Sequence, residues 1–381
     1  MSNLLKFFQI SFILSLIKLV INFILNRNTK YPNYLIKFEN KLAKYFNYKY
    51  CLSFANGTSA ADSIFNSLNL KEKNVIISKL TFPSIICSLL RNGANLYYLD
   101  FDYNFDLLIE GEEQKIKNSE FILLTSVYGF SQKKKIIEKI REINPEIKIV
   151  EDMSHSQCSP KLINKHKKHN LASFMSMQGS KAISAGEGGV AFTDSEKIYK
   201  EMIIYSHINR KNETLIGDLE NLSKIGFGNK SRMHPFGVFS AEFDLNRLEL
   251  RNKILREKFN QIYATLEKSR KIIIPKISDY NELGGFHYGL PFFINKKISL
   301  DPDFKNKHNI LRYNWPALDK LDFFHSSINF KKIEILNNDF AKVFLKTEDL
   351  RDQLYFIDLN FILINKKKLI NKKISEFISE I

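Results

Sequence analysis

The chain has 381 residues, of which 44% are hydrophobic and 13% aromatic. This length suits one large and one small domain, and the apolar content can bury a sizeable core, which excludes a globally disordered chain. The three cysteines show no paired spacing, which argues against a disulfide framework or a zinc cluster and indicates a reducing cytoplasm. We therefore expect no metal site.

The chain is strongly basic, with a formal net charge of +16 from 57 Lys and Arg against 41 Asp and Glu. Basic residues are spread along the sequence apart from short runs, and no DNA- or RNA-binding motif accompanies those runs, so we expect no nucleic-acid partner. A general compositional bias toward Lys, Asn and Ile is one explanation of the charge. An anionic nucleotide-linked substrate or a membrane surface is the other.

The N-terminal segment at residues 4–25, LLKFFQISFILSLIKLVINFIL, is hydrophobic and predicts a helix. It is long enough to cross a bilayer, although lysines interrupt it. Ser11, Ser15, Lys18 and Asn22 share one stripe of this helix, which also suits a helix lying in the membrane interface. A third interpretation is a helix packed on the protein or on a partner subunit. We expect membrane contact through this segment, with a cytoplasmic body attached to the inner face of the membrane, because basic residues follow it.

From about residue 50 the sequence alternates short β-rich runs with helical stretches. Such alternation predicts an α/β fold with a largely parallel seven-stranded sheet covered by helices on both faces. The candidate strands are YCLSF (50–54), NVIIS (74–78), NLYYLD (95–100), EFILLTS (120–126), IKIVED (147–152), ASFMSM (172–177) and GGVAFTD (188–194).

The second half of the sequence predicts a helical segment and then a smaller domain. Residues 196–269 are mostly helical in pattern, with a loop at Gly226–Pro235. After Ile272 come the β-rich runs HYGLPFFI and LYFIDLNFIL and a lysine-rich final helix, which indicate a C-terminal α+β domain. We therefore expect three parts. They are the N-terminal helix at 1–30, a large domain at 31–270 and a small domain at 271–381.

The loops after the predicted strands hold the chemically distinctive residues, as expected for an open α/β sheet. Asn56-Gly57-Thr58-Ser59 follows the first strand and opens a helix. A glycine, two hydroxyls and a helix N-terminus together suit an anion such as phosphate. The same residues also make an ordinary turn and helix cap.

A second loop begins at Asp152, which ends the apolar strand IKIVED. A carboxylate at a buried strand end is costly unless a positive partner meets it, and a protonated pyridine nitrogen would be such a partner. The alternative is an aspartate that caps the next loop. His155 lies three residues further on, within reach of the same pocket.

Two more loops carry a lysine and an aromatic residue. Lys181 leaves the strand ASFMSM and precedes the glycine-rich run at 186–189. Partial burial there would lower the pKa of its amine, and an unprotonated amine forms a Schiff base. Phe82 follows NVIIS, where an aromatic ring could stack on a planar cofactor. The alternatives are a solvated surface lysine and a core phenylalanine.

The order of these four motifs resembles the layout of fold-type-I pyridoxal-phosphate enzymes. More specifically, the chain from about Tyr31 to the C-terminus resembles the DegT/StrS-type sugar aminotransferases. The stretch SMQGSKAISAGEGGVAFTD carries the most specific part of the resemblance, in the spacing between the lysine and Gly-Glu-Gly-Gly. The other matching stretches are FENKLAKYFNYKYCLSFANGTSAA, SKLTFPSI and VEDMSHSQ.

The resemblance implies pyridoxal 5'-phosphate as cofactor and a role for each site residue. Lys181 is implied to hold the cofactor as a Schiff base and to act in proton transfer, and Asp152 to keep the pyridine nitrogen protonated. His155 is placed beside the ring hydroxyl, and Phe82 on the ring face. The implied phosphate-binding set is Gly57, Thr58, Ser59 and Ser176.

The resemblance further implies a homodimer with a shared active site. The loop GFGNKSRMHPFG matches a family segment that reaches the cofactor phosphate from the second subunit. Lys230 stands where the family usually has asparagine, whereas Arg232 matches the family's arginine. From Lys276 onward the chain matches the family only loosely and lacks its usual histidine-rich substrate segment.

The implied reaction transfers an amino group from an amino acid, glutamate or glutamine, to a keto sugar linked to a nucleotide, in polysaccharide or glycoconjugate biosynthesis. Some relatives have a histidine at the position of Lys181 and dehydrate sugars, so the lysine favours transamination. Two alternatives stay open. One is sugar dehydration or other pyridoxal-phosphate chemistry, and the other is a non-catalytic, membrane-tethered paralogue that acts as a scaffold.

Overall fold

A computed structural model of the chain describes Ile13, Ile17 and residues 32–157, 170–208, 228–277, 283–294, 300–312 and 348–381. Apart from Ile13 and Ile17, the hydrophobic segment at 4–25 lies outside these ranges, so its helix and its membrane contact stay predictions. Within the described ranges, no helix has the length and apolar character needed to cross a membrane.

The largest element is a seven-stranded sheet in which most neighbours are parallel. Its strands are β1 (Tyr50–Phe54), β2 (Asn74–Ser78), β3 (Asn95–Leu99), β4 (Phe121–Thr125), β5 (Lys148–Asp152), β6 (Asn170–Ser176) and β7 (Gly189–Thr193). They lie in the order β1-β7-β6-β5-β4-β2-β3. Only the pairs that include β7 are antiparallel. The predicted α/β fold is confirmed, and every predicted strand agrees with the structure to within two residues at each end.

Helices cover both faces of this sheet. They are α1 (Pro32–Tyr45), α2 (Gly57–Ser67), α3 (Pro83–Arg91), α4 (Glu113–Lys117), α5 (Lys134–Ile143), α6 (Glu196–Ser206) and α7 (Pro235–Leu245). Alternate residues of one strand enter different cores: Val75 and Ile77 pack with α2, α3 and α6, whereas Ile76 packs with α4 and α5. Helices α1 and α7 cover the remainder of that second face. Strands buried on both faces account for the continuous apolar runs in the sequence.

The C-terminal part forms a second, antiparallel sheet in the order β10-β11-β9-β8. Its strands are β8 (Ile272–Ile273), β9 (Gly289–Ile294), β10 (Ile310–Arg312) and β11 (Leu354–Asp358). The accompanying helices are α8 (Leu248–Leu266), α9 (Pro302–His308), α10 (Glu348–Gln353), α11 (Leu359–Ile364) and α12 (Lys367–Glu380). These elements agree with the predicted α+β pattern and lysine-rich last helix, while the domain boundaries at 270 and 271 stay predictions.

The run LYFIDLNFIL was predicted as β-rich, and this prediction is wrong for its second half, which is helical. The strand ends at Asp358, whose carboxylate accepts a hydrogen bond from the backbone N–H of Phe361 at 2.8 Å. This contact caps α11, which begins at the next residue. A short polar side chain that satisfies a free N–H at a helix start therefore overrides the apolar pattern.

The two sheets meet where the loop after β4 contacts the segment before β9. Tyr128 and Phe130 of this loop share a core with α8, α12 and the second sheet. Gly129 has φ +96°, and a Cβ placed there would lie 2.7 Å from Phe286 Cδ1 and 3.1 Å from the Gly284 carbonyl oxygen. The junction therefore requires glycine at this position.

We predict that Gly129→Ala lowers the free energy of unfolding by about 3 kcal/mol, because a strained left-handed residue also overpacks the junction. Gly111→Ala is the matched control, since Gly111 also has positive φ, +82°, but a Cβ there meets nothing within 4 Å. It should cost only about 1 kcal/mol. Urea unfolding followed by circular dichroism measures both, and equal losses would contradict the packing argument.

Candidate active site

A cavity of about 440 Å³ opens at the carboxyl ends of β1, β2, β4, β5 and β6. Most residues predicted for the site line this cavity, although they come from distant parts of the sequence. They are Gly57, Thr58, Phe82, Asp152, His155, Ser176 and Lys181. The remaining predicted residues, Ser59, Lys230 and Arg232, are not part of the lining that the described residues form.

The N-terminus of α2 forms one end of the cavity. Asn56 caps this helix by accepting a hydrogen bond from the backbone N–H of Ser59 at 2.8 Å. Gly57 packs against the end of β6, where a Cβ would lie 2.8 Å from Ser176 Cβ and 2.9 Å from Ser176 Cα. The Thr58 and Ser84 hydroxyls lie 2.7 Å apart and join the starts of α2 and α3. Two helix N-termini and several hydroxyls thus make a cradle suited to an anion.

Phe82 stands at the start of α3, on the same side as this cradle. It immediately precedes Pro83, whose fixed φ suits the first position of a helix. Its side chain is 43% exposed although it lines the cavity. A large aromatic ring at an open cavity wall can cover the face of a planar ligand.

Lys181 lies in the lysine loop, which we define as residues 177–188 between β6 and β7. Burial lowers the pKa of the Lys181 amine to about 8, and the Asp152 carboxylate opposes this shift. Asp152 is only 4% exposed and accepts a hydrogen bond from the Ser154 N–H at 2.9 Å. Burial raises the pKa of Asp152, while Ser154 and Lys181 favour its charged form. A nucleophilic amine and a buried carboxylate therefore face one cavity.

The lysine loop is held by backbone hydrogen bonds at its base. The Met177 N–H donates to the Gly188 carbonyl at 2.8 Å, and the Ala185 N–H donates to the Met177 carbonyl at 2.7 Å. Ser154 Oγ accepts from the Ser176 N–H at 2.9 Å, which joins the loop after β5 to the end of β6. These contacts place the predicted phosphate, lysine and carboxylate positions in one rigid framework.

His155 forms the opposite wall together with two residues that the sequence did not predict, His287 and Tyr288. Both belong to the histidine loop, which we define as residues 283–288 before β9. The His155 and His287 ring centroids are 4.4 Å apart, and those of His287 and Tyr288 are 3.9 Å apart. Burial and the nearby Lys181 charge lower the pKa of His287 to about 3 and that of His155 well below 6.5, so both imidazoles are neutral.

The histidine loop reaches the cavity through an unusual backbone. Gly285, Phe286 and Tyr288 all have positive φ, at 79°, 44° and 68°. Strained conformations of this kind persist where surrounding contacts fix them, and they concentrate at functional sites. The only signal in the sequence was the pair His-Tyr before the β-rich run GLPFFI. Sequence analysis did not identify His287 or Tyr288 as site residues, although both line the cavity.

Comparison with known proteins identifies the family. The sequence model of the DegT/DnrJ/EryC1/StrS aminotransferase family matches residues 19–301. The chain belongs to this family.

Three similar proteins illustrate the relationship. GDP-perosamine synthase of Escherichia coli O157:H7 is 28% identical over 176 residues, 44% of this chain and 46% of that protein, so the match spans about half its length. UDP-4-amino-4,6-dideoxy-N-acetyl-beta-L-altrosamine transaminase of Campylobacter jejuni is 26% identical over 263 residues, 68% of each chain. The crystal structure of NtdA from Bacillus subtilis, with bound cofactor PMP, has a TM-score of 0.71 at 20% identity and covers 91% of this chain and 77% of NtdA.

These findings confirm the predicted family, which is a family of aminotransferases. The predicted cofactor is pyridoxal phosphate, and the NtdA structure contains its amino form, PMP. The site fits this cofactor. The Gly57 cradle, which a Cβ would fill, suits the phosphate, and buried Asp152 suits a protonated ring nitrogen. Among the described residues His155 Nδ1 is buried without a hydrogen-bond partner, which leaves it for a ligand.

We predict that Asp152→Asn lowers the pKa of Lys181 below about 8. The carboxylate favours the charged amine, so its removal should move the midpoint down by about one pH unit or more. Competitive acetylation of cofactor-free protein across pH, followed by mass spectrometry of the Lys181 peptide, gives this midpoint.

The matched control for this experiment is Glu151→Gln. Glu151 is also buried, but its carboxylate accepts hydrogen bonds from Ser126 and Asn170, not from groups of the lysine loop. Its substitution should leave the Lys181 midpoint in place. An unchanged or higher midpoint in Asp152→Asn would contradict the assigned pairing of Asp152 with Lys181.

Proposed function

We propose that the protein is a pyridoxal-phosphate-dependent aminotransferase that moves an amino group from glutamate or glutamine to a keto sugar linked to a nucleotide. The observation that carries the proposal is the partly buried Lys181 amine, whose pKa is lowered to about 8, opposite buried Asp152. An amine with this pKa is unprotonated in a substantial fraction of molecules near neutral pH, as covalent catalysis by lysine requires.

The residues of the chain divide the work as follows. When bound, pyridoxal phosphate supplies an electron sink for negative charge on the carbon that carries the amino group. Lys181 would hold the cofactor, and its Nζ is placed to give or take a proton at the reacting carbons. The Asp152 carboxylate would face the ring nitrogen and favour its protonated form. Gly57, Thr58 and Ser176 would hold the phosphate in the cradle that they line.

The composition of the cavity wall supports a sugar as the acceptor. Among the described lining residues the charged side chains are Asp152, Lys181 and Glu187. The histidine loop adds a neutral imidazole and a phenol, which exchange hydrogen bonds with hydroxyls and pack against the apolar face of a sugar ring. Two relatives are named for nucleotide-linked sugars, one for GDP-perosamine and the other for a UDP-linked altrosamine. These names agree with a nucleotide-linked acceptor.

The test is amino transfer from ¹⁵N-labelled glutamate or glutamine to a panel of GDP-, UDP- and dTDP-linked 4-keto sugars. We predict that the wild-type protein places the label on one of these sugars, and that Lys181→Ala lowers the rate by about a thousandfold or more. Lys268→Ala, at an exposed lysine after α8, is the control and should keep full activity. Loss of water from the sugar without label transfer would instead show a dehydratase, and turnover that survives Lys181→Ala would refute the assigned role.

We further propose that the active site is completed by a second copy of the chain. Lys230 is exposed and Arg232 partly buried, and neither lines the cavity of its own chain. The backbone of this segment is nevertheless fixed beside the cradle, since the Ala55 N–H donates to the Ser231 carbonyl at 2.7 Å. A fixed cationic segment next to the cradle supports a contact with a phosphate in the partner's site.

Complementation tests the shared site. Lys181→Ala and Arg232→Ala should each be inactive alone, whereas a refolded 1:1 mixture should regain about a quarter of wild-type activity, because half the dimers are mixed and each has one intact site. A mixture of Lys181→Ala with Asp152→Asn is the control, since these residues lie in one cavity. Its activity should stay at background, and recovery there, or none with Arg232→Ala, would exclude the arrangement.

A further inference from the structure

The lysine loop and the histidine loop are joined by two fully buried amide side chains outside the cavity lining. Gln157 is 1% exposed and Asn252, near the start of α8, is 0% exposed. A buried amide is costly unless its donors and acceptors are satisfied, so its partners indicate what it holds. Both amides bond to backbone groups of the loops that carry site residues.

Gln157 holds the lysine loop at two points. Its Nε2 donates to the Ser176 carbonyl at 2.6 Å, and its Oε1 accepts from the Ile183 N–H at 2.6 Å. These partners lie before and after Lys181, so the side chain bridges the stretch that presents the lysine. The orientation of the amide is determined by its partners, because a carbonyl only accepts and an N–H only donates.

Asn252 connects this bridge to the histidine loop. Its Nδ2 donates to the Gln157 carbonyl at 3.3 Å, and its Oδ1 accepts from the Gly285 N–H at 3.2 Å. The neighbouring Arg251 donates to the Gly285 carbonyl at 3.0 Å. Gly285 itself packs so closely that a Cβ placed there would lie 2.3 Å from the backbone nitrogen of Gln157. The contacts therefore form a continuous chain of hydrogen bonds, the amide bridge, from the backbone before His287 to the backbone on both sides of Lys181.

We propose that Gln157 and Asn252 are positioning residues, which fix the lysine loop relative to the histidine loop and so hold the Lys181 amine in the cavity. Neither side chain lines the cavity, and each acts through the loop that it anchors. The inference rests on Lys181 as the reacting amine of the proposed function. It requires no particular sugar or amino donor.

The first experiment is competitive acetylation of Lys181 in cofactor-free protein. In Gln157→Met, a similar volume without hydrogen bonds, the lysine loop loses both anchors and Lys181 gains contact with water. Its pKa should rise from about 8 toward the ordinary value of 10.5. Each pH unit of increase lowers the unprotonated fraction at neutral pH about tenfold. Asn252→Leu should also raise the pH midpoint of Lys181 acetylation, but by less. The double variant Gln157→Met/Asn252→Leu should raise this midpoint no further than Gln157→Met alone.

Gln132 provides a matched control. It is also a buried glutamine that bridges backbone groups, accepting from the Leu107 N–H at 3.0 Å and donating to the Phe105 carbonyl at 2.8 Å. Gln132→Met should lose comparable stability and leave the Lys181 midpoint unchanged. An equal midpoint in wild type and folded Gln157→Met would overturn the proposal.

A second variant covers the case in which Gln157→Met does not fold. In Gln157→Glu a protonated carboxyl can replace both hydrogen bonds, whereas the carboxylate places an oxygen against the Ser176 carbonyl. The Gln157→Glu variant should therefore bind pyridoxal phosphate nearly as tightly as wild type at pH 5 and several-fold more weakly at pH 8. For the control Gln132→Glu, the ratio of its affinity to that of wild type should be the same at both pH values. A pH-independent ratio for Gln157→Glu would overturn the proposal. If the midpoints of Lys181 acetylation move as expected but the wild-type protein transfers no ¹⁵N label, the proposed function is wrong and the positioning role of the amide bridge is still supported.

Discussion

The close approach of α2 to the end of β6 is the constraint on which the site depends. Only a residue without a side chain at position 57 lets the helix N-terminus meet the Ser176 backbone. This contact brings the anion cradle of the first loop within the same cavity as the lysine loop, although more than a hundred residues separate them in sequence. Without it, the N-terminal partial charge of α2 would lie too far from Lys181 for one ligand to use both.

The single reversed strand gives the lysine its position. Because β7 runs antiparallel to β6, the connection between them is a hairpin at the carboxyl edge of the sheet and not a crossover helix. The lysine loop is therefore short, closed by its own backbone hydrogen bonds and partly shielded from water. Shielding lowers the pKa of the amine, and Asp152 at the end of the neighbouring β5 limits how far it falls. The antiparallel connection between β6 and β7 therefore also determines how far the pKa of Lys181 is lowered.

Much of this could be predicted from the sequence because the relevant signals are local. Buried parallel strands give continuous apolar runs, so all seven strands were found, and the residues after them marked the cavity edge. The helix at Leu359–Ile364 was not predicted, because the hydrogen bond by which Asp358 caps it depends on the side-chain conformation and not on the apolar pattern. The role of Ser59 in the cradle stays a prediction, and its backbone N–H is bonded to Asn56, the helix-cap alternative that the sequence left open.

The histidine loop could not be predicted for a different physical reason. His287 and Tyr288 reach the cavity through a loop in which Phe286 and Tyr288 adopt positive φ angles that residues other than glycine disfavour. The conformation is imposed by contacts distant in sequence, from Arg251 and Asn252 to Gly285. Asn252 also donates to the Gln157 carbonyl, so the helix that links the two sheets supports both walls of the cavity.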